Sequence, residues 1–240
     1  MNLFIASDKQ GSGKTFISAG IAATMQSLGY SVGYYKPIQT GAMNQNGFVT
    51  SQDITFIKKI DPNLNTVTSY TFQTDAFPIL AAKKENVVVQ PEVLVKDYLK
   101  LRKTSEIVIV ESSGGILTPF CSSMRTIDFI QAMQTSMLLV VEPTHEVLEK
   151  VLLTIDYVRH AGITVSGVIL NKYIKSPDLN IKKLPAMIEA YSGVPIVGIV
   201  GYQMSVSPSG LIDTVLHSID LETIFKMKIP KLSNPADNNF

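Results

Sequence analysis

SDKQGSGKTF, residues 7–16, directly follows the apolar run Leu3-Phe4-Ile5-Ala6 and directly precedes a stretch with helical spacing. A strand, a glycine-rich turn and then Gly13-Lys14-Thr15 opening a helix is the setting of a P-loop, in which backbone N–H groups and a helix N-terminus converge on an anion. In that arrangement Lys14 reaches the β- and γ-phosphates of a nucleotide, and the Thr15 hydroxyl ligates Mg²⁺. Gln10, Gly11, Ser12 and Gly13 complete the cradle. The strict pattern asks for glycine five residues before Gly13, where this chain has Asp8. The competing reading is a glycine-rich turn with a capping hydroxyl.

Outward from this loop, short β-rich runs alternate with longer segments of helical spacing. That pattern predicts a doubly wound, mostly parallel sheet with helices on both faces, an α/β domain of the P-loop kind over residues 1–228. The expected strands are Leu3–Ala6, Ser31–Tyr35, Ile107–Val110, Met137–Val141, Val165–Leu170 and Ile196–Val200. The expected helices are Phe16–Leu28, ended by Gly29, and Leu94–Arg102, Thr126–Met133, Val147–His160 and Leu184–Tyr191. Residues 39–90 look irregular, with turn residues at Gly41, Asn44–Gly47 and Asp61–Asn65, and are assigned to substrate-facing insertions. The Pro- and Asn-rich segment 229–240 reads as a flexible tail.

The 240-residue chain is 45% apolar, enough for a sizeable core, and its 21 basic and 20 acidic residues nearly cancel. Nothing in that balance points to nucleic acid or an anionic membrane, so a small charged metabolite is the expected partner. A single cysteine, Cys121, excludes an intramolecular disulfide and a multi-cysteine metal site, and fits a cytoplasmic location. No apolar stretch has membrane-spanning length, and no signal sequence is recognisable, so the mature protein is expected to start at or near Met1.

Two further stretches carry chemistry. YYKPIQTG, residues 34–41, puts Lys36 at the end of the second strand beside a proline-fixed turn, where ordering a lysine is costly unless it meets an anion. VIVESSGG, residues 108–115, brings Glu111 out at the carboxyl end of a strand, where ligands bind in open α/β sheets, and makes it a candidate Mg²⁺ ligand beside the phosphate loop.

Lys9-Gln10-Gly11-Ser12-Gly13-Lys14-Thr15 resembles the deviant P-loop of dimeric ATPases of the partition and nitrogenase iron-protein group. There, a second lysine reaches a nucleotide on the facing subunit. Lys9 holds that place, with a solvated surface lysine as the other reading. Taken together, the P-loop, YKPIQTG and VESSGGILTPF resemble the dethiobiotin synthetase family. SQDITFI around Asp53, SYTFQTDAFPILAA over 69–82 and HAGITVSGVILN over 160–171 have counterparts in the same order.

The resemblance implies a homodimer that uses ATP and Mg²⁺ to carboxylate 7,8-diaminopelargonate with CO2, activate the carbamate with the γ-phosphate and close a ureido ring. By motif match, Lys14 and Lys36 flank the carbamate and the transferring phosphoryl group, and Thr15, Asp53 and Glu111 hold Mg²⁺. Thr40 positions substrate with Ser112 and Gly114, the Ser112-Ser113-Gly114-Gly115 turn adds two hydroxyls to a family Gly-Ala-Gly-Gly turn while keeping its last two glycines and a backbone anion site, and Asn171 reads adenine. The alternatives are a helix cap for Asp53, a turn residue for Thr40, a solvated carboxylate for Glu111 and a loop cap for Asn171.

The chain also departs from the family. Gln10 and Gly11 stand where Thr-Glu is usual. In VVEPTHEVLEK, residues 140–150, Glu142, His145 and Glu146 replace a loop that reaches the substrate carboxylate, leaving backbone N–H groups at a helix start near Thr144 as donors. The competing functions are a nucleotide-controlled switch, a related ligase with another substrate, and a member that binds nucleotide without chemistry.

Overall fold

The computed structural model of the chain describes residues 1–45 and 48–229. The first half contains β1 (Asn2–Ser7), α1 (Lys14–Ser27), β2 (Val32–Gln39), the hairpin strands β3 (Met43–Gln45) and β4 (Phe48–Thr50), α2 (Gln52–Ile60), β5 (Asn65–Thr71), α3 (Pro78–Lys84) and α4 (Pro91–Thr104). Then follow β6 (Ile107–Glu111), the short β7 (Pro119–Cys121) and β8 (Met124–Arg125), α5 (Thr126–Met133), β9 (Ser136–Val141) and α6 (Val147–His160). Last come β10 (Val165–Tyr173), α7 (Leu179–Ser192), β11 (Ile196–Gly201), α8 (Pro208–Ser218) and α9 (Leu221–Phe225).

Among the described residues seven strands form one parallel sheet in the order β11-β10-β9-β1-β6-β2-β5. Strand alternation divides its core in two. Leu3 and Ile5 of β1 pack with α1, α2, α8 and α9, whereas Phe4 and Ala6 pack with residues of α3 to α7 on the other face. The sheet and helices on both faces are those expected from the sequence.

The chain leaves β1 through α1 to one side of the sheet and later returns beside β1 as β9 on the other. β1 therefore marks the topological switch point, and the crevice outside its carboxyl end is where this architecture binds ligands.

Three differences from the sequence reading have physical causes. Residues 39–90 hold α2, α3 and the edge strand β5, whose Thr-rich sequence is only half covered and so lacks the apolar alternation of a core strand. Lys36 does not end a strand, because β2 continues to Gln39. Pro37 is tolerated there because pairing with β6 stops at Tyr35 and the β5 pairing skips it.

Helices α8 and α9 were not anticipated. Ser207 caps α8 by accepting from Gly210 N–H at 3.1 Å, and Leu211 and Val215 pack on α1 at Gly20. Ile229, assigned by sequence to the tail, is 1% exposed and packs in the α1-side core, while residues 230–240 lie outside the described residues. So do Asn46 and Gly47 of the expected turn 44–47.

Candidate active site

The loop after β1 is tied at both ends. Ser7 Oγ donates to Lys9 O at 2.6 Å, and Ser12 Oγ donates to the Asp8 carboxylate at 2.8 Å. Asp8 is not among the residues with positive φ, so the position that the strict motif gives to glycine needs none here, and its side chain serves as a strap.

Gly13 has two reasons to be glycine. Its φ is +86°, and a Cβ there would sit 2.1 Å from Asn171 Nδ2. From the end of β10, Asn171 Nδ2 donates to Ser12 O at 2.9 Å and Lys172 Nζ to Gly11 O at 2.6 Å. Two carbonyls of the loop are thus held by β10, and α1 follows the N-cap Gly13 with no side-chain cap and no acidic residue in its first turn. A helix N-terminus without a side-chain cap favours an anion.

Lys14 is 8% exposed, and its Nζ donates to Ser7 Oγ at 2.8 Å. Among the described residues it has no ion pair. Burial pushes its pKa below the ordinary lysine value, against an opposing pull from Glu111. A buried cation in no direct ion pair is costly, and an incoming phosphate would offset that cost.

Lys36 is the opposite case. Its Nζ lies 2.7 Å from Asp53 Oδ2 and 2.9 Å from Glu111 Oε1, and it donates to Ser112 O at 3.2 Å. Burial alone would lower its pKa, but Glu111 and then Asp53 outweigh burial and raise it. For Asp53, burial raises the pKa and Lys36 more than reverses this, so the net shift is downward.

Thr15 Oγ1 stands 3.0 Å from Asp53 Oδ1 and 2.8 Å from Glu111 Oε1. One hydroxyl hydrogen cannot serve both carboxylates, so the trio brings together more oxygen lone pairs than it has protons to satisfy. Such a set of hard oxygens fits Mg²⁺, whose remaining ligands would be phosphate and water. Among the described residues no group of three or more His, Cys, Asp or Glu forms a metal site by itself.

Asp53 is not spent on capping α2, because Ser51 does that, accepting from Ile54 N–H at 3.2 Å. Tyr34, which sequence reasoning passed over, is fully buried and donates to Glu111 Oε2 at 2.8 Å. Burial, then Glu111, raises its pKa far above the ordinary tyrosine value, so it remains a donor.

Gln10, Gly11, Gly13, Lys14, Thr15, Lys36, Thr40, Asp53, Glu111, Ser112 and Gly114 all line one cleft of about 480 Å³. Ser12 and Asn171 are buried behind it. The Ser112 hydroxyl donates to Gly114 O at 2.7 Å and its N–H to Ile5 O at 3.0 Å, so Ser112 shapes its turn. Gly114 admits Thr118, whose Oγ1 would lie 2.5 Å from a Cβ.

Lys9 pairs within its own chain, 3.1 Å from Glu142 Oε2, with a side chain 44% exposed. Lys172, also missed, lies 3.9 Å from the same carboxylate and lines the cleft, with a φ of +59° that is unusual outside glycine. The helix start expected near Thr144 falls later, since α6 begins at Val147 after a turn in which Thr144 O accepts from Val147 N–H. His145 faces Asp178 at 3.1 Å in a separate depression between α6 and α7.

A family model described as an AAA domain matches residues 1–209. The ATP-dependent dethiobiotin synthetase BioD of Bacillus cereus (strain B4264) is 31% identical over 199 residues, covering 83% of this chain and 82% of that relative. The protein of the same name from Bacillus subtilis (strain 168) is 30% identical over 207 residues, covering 86% of this chain and 88% of its own. Among solved structures, a ParA family ATPase from Chlorobium tepidum TLS superposes with a TM-score of 0.56 at 18% identity, over 90% of this chain and 98% of that one. The MinC:MinD cell division protein complex of Aquifex aeolicus gives 0.54 at 17% identity, over 90% and 88% of the two chains. These likenesses concern the fold, whereas the family model and the relatives match most of the chain by sequence: the chain belongs to the AAA-domain family and, within it, to the ATP-dependent dethiobiotin synthetases.

Proposed function

We propose that this protein joins CO2 to 7,8-diaminopelargonate and closes the ring at the expense of ATP, releasing dethiobiotin, ADP and phosphate as a step of biotin synthesis. The observation that carries the reading is Lys14, a buried cation without a carboxylate partner among the described residues, facing the same cleft as Lys36. The reaction gathers negative charge on a carbamate, a transferring phosphoryl group and ADP. It therefore calls for fixed cations and oriented donors rather than a protein nucleophile.

One amine nitrogen attacks CO2 and loses a proton, giving the carbamate, whose oxygen then attacks the γ-phosphorus as ADP leaves. The second amine attacks the activated carbonyl carbon, and phosphate departs with the ring closed. Lys14 offsets charge on the β- and γ-phosphates, while Lys36, kept protonated by its two carboxylates, faces the carbamate. Thr40 orients substrate at the cleft edge, and the turn holding Ser112 and Gly114 lines its floor. Thr15, Asp53 and Glu111 would hold Mg²⁺, which when bound supplies positive charge against the phosphate oxygens. Asn171 commits Nδ2 to Ser12, so its Oδ1 is the atom that would accept from the adenine amino group.

The protein acts as a cytoplasmic homodimer in this reading; among the described residues no helix is long and apolar enough to cross a membrane. Lys9, engaged by Glu142 of its own chain, supports a role in the same subunit more than the trans role of the switch ATPases.

The test is phosphate release with Mg-ATP and bicarbonate, with and without 7,8-diaminopelargonate, while mass spectrometry looks for dethiobiotin. Substrate-dependent release with product formed is the expected outcome. ATP binding with neither would move the reading to a relative with another substrate, and turnover that needs a protein or DNA partner would move it to the switch class.

A further inference from the structure

Among the described residues the cleft is lined by three lysines, Lys14, Lys36 and Lys172, and three carboxylates, Asp53, Asp75 and Glu111. Asp53 and Glu111 are both committed to Lys36 and Thr15. Asp75 is not committed: among the described residues no hydrogen bond or ion pair engages its carboxylate.

Its position is nonetheless built. Beyond β5 the chain is strapped to the end of β2 by Phe72 N–H to Gln39 O at 2.8 Å, Ala42 N–H to Phe72 O at 2.9 Å and Gly41 N–H to Thr74 O at 3.1 Å. The Glu85 carboxylate accepts from Thr74 N–H at 2.7 Å, one residue before Asp75. Gly41 has φ +67°, and a Cβ there would lie 3.2–3.4 Å from Asp75 side-chain atoms, so the carboxylate lies over Gly41 and shares the cleft with Thr40.

A substrate with two amines poses a charge problem in such a cleft. The nitrogen that becomes a carbamate suits Lys14 and Lys36, but the other enters from neutral water as an ammonium and is repelled by the same lysines. We infer that Asp75 binds this second amine and so selects a diamine whose nitrogens lie within reach of both the lysines and the Gly41 edge. The inference rests on the ligase reading above.

The experiment measures steady-state constants for wild type, Asp75→Asn and Asp75→Glu, together with calorimetric binding of 7,8-diaminopelargonate and its two monoamine analogues. Loss of a charge-assisted bond predicts a rise of about tenfold to a hundredfold in KM and Kd for the diamine in Asp75→Asn. The KM for ATP should not move, and Asp75→Glu should recover part of the loss. One monoamine analogue, lacking the amine that faces Asp75, should bind wild type and Asp75→Asn equally, while the other remains sensitive.

A wild-type protein that neither binds the diamine nor forms dethiobiotin overturns the ligase reading and this inference with it. A working wild type with an unchanged diamine KM in Asp75→Asn, or equal sensitivity of both monoamines, overturns the role of Asp75 alone.

Discussion

Lys14 and Lys36 line one cleft, but among the described residues Lys14 makes no ion pair, whereas Lys36 is held between two carboxylates. Because the folded-state pKa of Lys14 is lowered, its ionised form weakens the fold at every pH below that value, and the penalty fades as pH rises toward about 10.4. Lys14→Met should therefore unfold no more easily than wild type at pH 7, while kcat falls by about 10²–10³ and Mg-ATP no longer raises the melting temperature. Lys36 has a raised pKa, so its contribution is full below about 10.4 and is lost only as pH climbs through the folded value. Lys36→Met strands Asp53 beside the buried Glu111 and should cost about 3–5 kcal/mol in a urea titration, toward the lower end because Asp53 is partly exposed. Asp53 has a lowered pKa, so its contribution is present above about pH 4 and is lost as pH falls through the folded value. Thermal melts between pH 2.5 and 6 should accordingly show a flatter acid limb in Asp53→Asn than in wild type.

Elements meet the site through close approaches that one methyl group would disturb. A Cβ at Gly20 of α1 would lie 2.6 Å from Val215 Cγ2 of α8, so Gly20→Ala should destabilise by about 1–3 kcal/mol. Adding Val215→Ala should return part of that loss, and a double-mutant cycle by chemical denaturation reads the coupling. This contact belongs to a helix that the sequence reading left out, although Ser207-Pro208 followed by Leu211 and Val215 is a cap with an i, i+4 apolar pair. α1 itself was legible from Ile17, Ile21 and Met25, all buried as expected. β5 was not, because an edge strand built from Asn65, Thr66, Thr68, Ser69 and Thr71 gives no apolar alternation.

At the scale of the whole molecule, the strand order sets the chemistry by bringing the carboxyl ends of β1, β2, β6 and β10 around one crevice. Ligand binding there should be visible in global stability. Mg-ATP at about 100 times its Kd should stabilise the fold by about 2.7 kcal/mol. For a chain of this length that corresponds to about 5–10 °C in a thermal melt. EDTA should remove most of that shift if Thr15, Asp53 and Glu111 hold the metal. By itself the sequence determined the alternation of strand and helix, the glycine-lysine-threonine turn between β1 and α1, and the candidacy of Lys36 and Glu111 at strand ends, because periodicity and turn chemistry are local properties, whereas Asp53 and Asn171 became candidates only through the family resemblance. Only the tertiary structure decided that Thr15 stands between two carboxylates 38 and 96 residues away. It also decided that Tyr34 and Lys172 belong to the site, that Glu142 answers Lys9, and that Asp75 stands uncommitted at the edge. Those facts depend on which strands lie side by side, and pairing between distant strands is fixed by how two sheet faces bury their apolar residues, a condition that no short stretch of chain records.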